Sequence, residues 1–335
     1  MSVTTVRGRT FVRGVIAKAA TEGGNEAIGY AETRWSSSWA PVVKAMTGSI
    51  TTDDTGNVEA QEFFGTVADR SLLGQLTGLR RIPFNVRYMS MSQGTRGYWV
   101  SPHSRIPVSK PALAGSSLER LKVASLAIFT RESIEAAGPL AESAFQADLT
   151  DAVTLAIDAA FIDRASAGAA DESPASVTHG ATAIAATNDA GADVKSAIQT
   201  FAGDLTRAFW VTDGKTAASL GLVRGTGGSL AFPNVGARGG EILGIPVVTT
   251  DGSPHTQAAG GQLALVDPTG IAFNTDGIEV AKSTNAAIWV SDTPDSDPTQ
   301  VSLFQEDSVA LKVVAWASWE QQRENGVVVI TGCKY

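Results

Sequence analysis

Between Leu76 and Leu118 the chain places prolines at 83, 102, 107 and 111 in a run of alternating and β-branched residues (IPFNVRYMSMSQG, GYWVSPHSRIPVSKPAL). Each proline removes a backbone donor and clashes with a preceding helical turn, so helix is forbidden through most of the stretch. An edge strand or an extended ribbon is what remains. Gln93, Gly94 and Thr95 are the expected hairpin tip. Such a ribbon has too little apolar surface to stand alone, because an isolated hairpin is marginal in water. It must lie on something else.

The flanking sequence supplies the rest of the architecture. Residues 1–75 are rich in Gly, Ser and Thr, with short helices expected around Asn25–Tyr30 and Val58–Gln75, and read as an extended arm. SLERLKVASLA (117–127) reads as a strand or short helix. A helix over Ser133–Ala137 capped by Thr130 should follow, with Gly138 and Pro139 stopping it and opening the next. Phe145, Leu149, Ala152, Val153, Ala156, Ile157, Ala160 and Phe161 recur at three- and four-residue spacing and predict a long core helix with a narrow, Ala-rich stripe. Residues 165–193 are small and polar and read as a linking loop. Beyond them a helix (194–205), a strand (208–212), a helix (215–222) and a Gly-rich, mobile stretch (224–240) are expected. Strands should follow at 246–250, 262–266, 278–282 and 286–291. This interleaving makes an α/β module. The end of the chain reads as one long strand, a turn at Glu324–Gly326 and a final strand.

Composition excludes several functions. The 26 Lys and Arg against 34 Asp and Glu leave a formal charge of −8, which argues against sequence-specific DNA binding as the main task. Apolar runs fall short of the roughly 18–20 residues that cross a bilayer as a helix. The one cysteine, Cys333, permits no intrachain disulfide, so a reducing cytoplasm suffices. Arg7, Arg9, Arg13 and Lys18 precede the first acid, Glu22. They suit either a salt-sensitive phosphate contact or, with Phe11, Val12, Val15 and Ile16, a strap along a neighbouring chain.

No catalytic or cofactor constellation emerges. His103, His179 and His255 lie far apart without local Cys partners and read as surface residues rather than metal ligands. FWVTDGKT places Gly214, Lys215 and Thr216 after a strand, but Phe209 stands where a phosphate-binding loop needs its first glycine. The expected alternative is a turn with Asp213 capping the helix. RGTGGSLAFPNVGARGGEILG lacks the dinucleotide-binding order, no G-x-S-x-G elbow exists, and Asp53, Asp54 and the SDTPDSDP acids look solvated.

Several segments together resemble the major capsid proteins of tailed bacteriophages, whose fold is named after coliphage Hong Kong 97. They are SLLGQLTGLRRIPF, WVSPHSRIPVSKP, LERLKVASLAIFTRESIEAA, AIDAAFID, FWVTDGKTAASLGLVRGTGGSL, ILGIPVVTTDGSP and VALKVVAWASWEQQRENGVVVITG, running in order from about Ser71 to Gly332. The resemblance implies an α+β fold. Residues 1–75 would be an N-terminal arm and 76–118 an extended loop crossing a neighbouring subunit through Tyr98, Trp99, Arg105 and Lys110. Residues 119–169 would be a peripheral domain with a spine helix from about Pro139 to Arg164. Residues 170–278 would be an axial domain meeting its copies around five- and six-fold axes, and 279–335 the C-terminal strands of the peripheral domain.

It further implies pentamers and hexamers of the chain itself in an icosahedral head around double-stranded DNA. Separate scaffold and portal proteins, and decoration proteins in some heads, would be partners. Assembly would occur in the host bacterial cytoplasm, with no cofactor, metal, membrane or catalytic role. Residues 1–75 lack the charged heptads of a cleaved scaffold segment, so no propeptide removal is expected. Ile106 stands where some relatives have a cross-linking lysine, and Ala310–Ser318 offers neither Asn nor Glu, so covalent cross-linking is not expected. Two rivals remain: an encapsulin-like nanocompartment shell, and a soluble α/β enzyme using Lys215 and Thr216.

Overall fold

The computed structural model describes residues 30, 31, 33, 71–93, 98–108, 112–132, 139–187, 189–225, 227–291, 300–323 and 326–335. Two compact units share the chain. Among the described residues, the first is drawn from Tyr30, Ala31, Thr33, Lys122–Thr154 and Asp276–Trp316, and the second from Ser71–Leu121, Leu155–Thr275 and Ala317–Tyr335.

In chain order come a one-turn helix α1 (Leu72–Gln75) and strands β1 (Arg80–Arg81), β2 (Arg87–Gln93), β3 (Ala112–Ser117) and β4 (Lys122–Thr130). Helix α2 (Pro139–Ile162) follows, then β5 (Thr182–Ala185), α3 (Ala190–Thr200), β6 (Phe209–Thr212) and α4 (Gly214–Leu222). Next are β7 (Val235–Gly236), β8 (Gly239–Ile242), β9 (Ile245–Thr249), β10 (His255–Thr256) and β11 (Gly260–Val266). The chain ends with β12 (Ile271–Ser283), β13 (Ala287–Trp289), β14 (Gln300–Ser302), β15 (Ser308–Gln321) and β16 (Val327–Cys333).

In the first unit β15 runs antiparallel to β4, from Ser308 opposite Thr130 to Trp316 opposite Lys122. Val309, Ala310, Val313 and Ala315 are buried. Arg131 pairs with Asp307 at 3.3 Å where the two strands meet. The antiparallel pair of β13 and β14 also lies in this unit, as do the first part of α2 and the end of β12.

The second unit is built on a sheet ordered β5-β16-β11-β6-β9-β8-β7, with β10 added beside β11. Its centre is β11, where Leu263, Ala264, Leu265 and Val266 are wholly buried. Continuous apolar strands of this kind need cover on both faces. Helix α3 supplies Val194 and Ala197 and α4 supplies Ala217 and Leu220, packed with Trp210, Val328 and Ile330 in one core cluster. Burying each large apolar side chain contributes about 1.5–3 kcal/mol. Asp213 caps α4 as the sequence predicts, accepting from the amides of Lys215 and Thr216, both at 3.0 Å.

Three expectations are corrected. The predicted tight tip at Gln93–Thr95 does not fit the register, since Gln93 pairs with Ala112, and the described residues between them, 98–108, carry no strand. Residues 165–193 are not an idle linker. They contain β5 and the start of α3, and their hydroxyls satisfy carbonyls that the end of α2 leaves open. Ser176 Oγ donates to Phe161 O at 2.9 Å, and Thr178 Oγ1 and Gln262 Nε2 each donate to Ile162 O at 2.7 Å. The Gly-rich stretch is ordered around β7 and β8, with Phe232 and Val235 in the core. Gly240 has φ +136°, and a β-carbon there would stand 1.9 Å from Asn234 O. The expected final strand is β16, and it lies between β5 and β11 in the α/β sheet.

Helix α2 bears out the predicted long helix. Its stripe is narrower than the spacing suggested, since Val153, Ile157 and Phe161 are buried while Ala152 and Ala156 are exposed.

Candidate intersubunit surface

The hairpin of β2 and β3 pairs RYMSMSQ with ALAGSS, two strands with little to bury against each other. Its foot is fixed from outside. Tyr88 packs with Ile82, Leu118 and Ala272, and the amide of Asn85 donates to Leu118 O at 2.8 Å. Glu320, near the end of β15, accepts through one carboxylate oxygen from Tyr88 Oη at 2.6 Å and from Ser116 Oγ at 2.5 Å. One acid therefore holds both strands, and charge-assisted bonds of this kind are roughly twice as strong as neutral ones. Burial, and then the bond to Glu320, raise the Tyr88 phenol above its ordinary pKa.

Beyond Gln93 the described part of the connection, 98–108, has neither helix nor strand, and every residue in it is exposed. Trp99 is as open as in an extended peptide (106%), and Ile106 and Val108 are exposed at 77% and 83%. Tyr98 and Arg105 lie on the same exposed stretch. Large apolar side chains presented this way on a stapled ribbon make it a candidate interaction surface. Lys110 lies outside the described residues, as do Arg7, Arg9, Arg13 and Lys18 of the arm, Asp53 and Asp54, and the 133–137 helix.

The remaining candidates do not assemble into a site. In the FWVTDGKT segment Asp213 takes the very amides that a phosphate would need, and Lys215 is exposed. His255 departs from the surface reading. Its Nδ1 lies 3.2 Å from Asp213 Oδ2 and 3.3 Å from Thr216 Oγ1. Both contacts use one ring nitrogen, whereas a proton relay needs the two nitrogens on opposite partners. His179 Nδ1 lies 3.2 Å from Arg164 O, and His103 is exposed. Among the described residues no group of three or more His, Cys, Asp or Glu is placed to hold a metal, and no helix is long and apolar enough to cross a membrane.

Sequence reasoning missed two acids. Glu320 sits at the end of an alternating strand and gives no local signal of its two distant partners. Asp158 is 2% exposed on α2 and joins two remote segments, accepting from the Leu72 amide at 2.9 Å and from Thr250 Oγ1 at 2.7 Å. Burial pushes its carboxyl up to about 6, against the opposing effect of those two bonds. Its signal was an acid beside the apolar stripe, between Ile157 and Phe161.

Comparison with known proteins bears on the family and the fold. A sequence model of the phage capsid family matches residues 58–331. A protein described as "Capsid polyprotein", from Pseudomonas phage PAJU2, is 29% identical over 320 residues, covering 88% of this chain and 48% of that one. The chain thus spans about half the length of this curated relative. Among solved structures, a chain from Mycobacterium phage Adephagia superposes with TM-score 0.56 at 18% identity, covering 78% of this chain and 89% of that one. A chain of the "Capsid of native GTA particle computed with C5 symmetry" gives TM-score 0.54 at 14% identity, with 79% and 90% covered.

Proposed function

The chain belongs to the phage capsid family and has its α+β fold of Hong Kong 97 type, and from that premise we propose that it is the subunit of an icosahedral bacteriophage head. Copies assemble into pentamers and hexamers and enclose double-stranded DNA. The subunit's place is the virion, after assembly in the host bacterial cytoplasm. Scaffold and portal proteins are its further partners.

One observation carries this reading: the ribbon is fixed at its foot by Glu320 and carries Trp99, Ile106 and Val108 uncovered beyond it. Covering apolar area contributes about 25 cal/mol per Å². A ribbon that lies across a neighbour through Tyr98, Trp99, Arg105 and Lys110 gains this once per subunit, and ring closure multiplies a modest pairwise contact into a stable shell. Residues 170–278 form the axial part around the symmetry axes. The basic arm with Arg7, Arg9, Arg13 and Lys18 acts as a strap on a neighbour. A net charge of −8 keeps the wall from clinging to packaged DNA.

Negative-stain microscopy of the purified chain tests the proposal. Closed shells or capsomer rings are expected. A population that stays monomeric at assembly concentrations, with scaffold supplied, contradicts it.

A further inference from the structure

A cleft of about 410 Å³ opens at the foot of the hairpin, with every lining residue in the second unit. Its walls are the chain leaving β3, at 116–121, and the turn at 167–175, and its floor is Ser318, Trp319 and Glu320. The floor is rigid. Trp319 donates from its indole to Ala175 O at 3.0 Å and meets Phe161 edge-on, with centroids 5.3 Å apart and planes at 72°. The turn is equally fixed, since a β-carbon on Gly168 would stand 2.5 Å from the Ala175 nitrogen.

The cleft has room for a guest. Its turn-side wall is mostly alanine, so a large side chain can enter without displacing another. Its charged lining groups are Glu119, which is exposed, and Glu320. Among the described residues, the partners of Glu320 are two neutral hydroxyls, which orient the carboxylate without cancelling its charge. An acidic cleft of this volume suits a bulky, cationic guest.

The chain carries such a guest. Residues 94–111 contain Arg96, Arg105 and Lys110, no Asp or Glu, and the fully exposed Trp99. We propose that the cleft of one subunit receives the Trp99–Arg105 stretch of a second copy, the aromatic ring over Trp319 and the alanine wall, the guanidinium facing Glu119 and Glu320. This rests on the reading of the ribbon as an intersubunit strap and names its receptor. The cleft adjoins one end of the hairpin ladder, which is about 20 Å long at strand rise, and in the chain the guest segment follows the other end. Each copy therefore offers a guest at one end and a receptor at the other. Such a head-to-tail contact propagates in one direction and closes into a ring when the rotation allows. An aromatic anchor with an Arg beside it is also the residue pair most enriched where interfaces concentrate their energy.

The test uses assembled particles. Shells are formed from equal parts of ¹⁴N- and ¹⁵N-labelled Ala170→Cys chain, labelled with a benzophenone maleimide, illuminated and mapped by mass spectrometry. Ala170 is exposed on the cleft rim and the native Cys333 is buried, so the label is confined to the new thiol. The expected cross-links join the label to peptides containing 98–108 in isotopically mixed pairs. Shells that form but cross-link only to other segments overturn the cleft assignment and leave the shell-subunit reading standing. Failure of the unmodified chain to form any shell overturns both. A charge swap gives a second readout. Glu119→Arg and Arg105→Glu should each raise the critical subunit concentration by about tenfold, and the double variant should restore it. Single-variant losses that simply add in the double variant contradict the pairing.

Discussion

Tyr88 and Ser116 sit on different strands of the projecting hairpin, yet both donate to the same oxygen of Glu320, at 2.6 and 2.5 Å. The ribbon is therefore fixed at its foot by a residue more than two hundred positions along the chain, while its far end has no such tether among the described residues. Glu320→Ala leaves two hydroxyls in a partly buried site without their shared acceptor, and bonds to a charged group contribute about 1.5–3 kcal/mol. Amide hydrogen exchange across 87–93 and 112–117 should accelerate while exchange in β11 and β16 is unchanged. Equal rates in wild type and variant would remove Glu320 from this role.

Asp158 should make the subunit less stable as pH rises. Its carboxyl is near 6 in the fold and 3.8 without it, so the folded state holds the proton more tightly. The stabilisation is complete below the unfolded value, falls as pH climbs through about 6 and is absent above that. A gap of about two pH units corresponds to about 3 kcal/mol. Asp158→Asn keeps an acceptor for the Leu72 amide without the charge. The difference in denaturant midpoint between variant and wild type should grow in the variant's favour from pH 4 to pH 7.5. A constant difference across that range rules out the buried carboxyl as its source.

Gly240→Ala should cost at least about 1–3 kcal/mol, because the backbone is held at φ +136° and the new methyl meets the Asn234 carbonyl. Gly227 has nothing within 4 Å of a built β-carbon and serves as the control. Thermal unfolding of the two variants before assembly should separate them clearly. Similar melting temperatures would show that the β7–β8 edge adapts.

Trp99→Ala should leave unfolding of the free subunit unchanged, since the ring is fully exposed there. Assembly should weaken by about 2 kcal/mol per contact or more, as for other central aromatic anchors. Light scattering during assembly reads the second effect. Wild-type assembly by the variant would place the contact elsewhere on the ribbon.

What was legible in the sequence were features written locally. Prolines at 83, 102, 107 and 111 announced a ribbon without a core, the stripe through Val153, Ile157 and Phe161 announced α2, and Asp213 announced the start of α4. Pairings between distant segments were not legible. β16 resembles β15 in composition, and only the register with β11 and β5 assigns it to the α/β sheet. The polar residues of 165–193 contribute through hydrogen bonds to the end of α2, which hydrophobic periodicity does not record. Glu320 escaped for the same reason, as its partners lie at 88 and 116.

The central claim is that the ribbon acquires its cover from another copy of the chain. Hydrogen exchange of the 98–108 amides, compared between dilute unassembled subunits and purified shells, tests it most directly. The account predicts rapid exchange in the free subunit and strong protection in the shell. Protection already present in the dilute chain, or rapid exchange that persists in the shell, would contradict it.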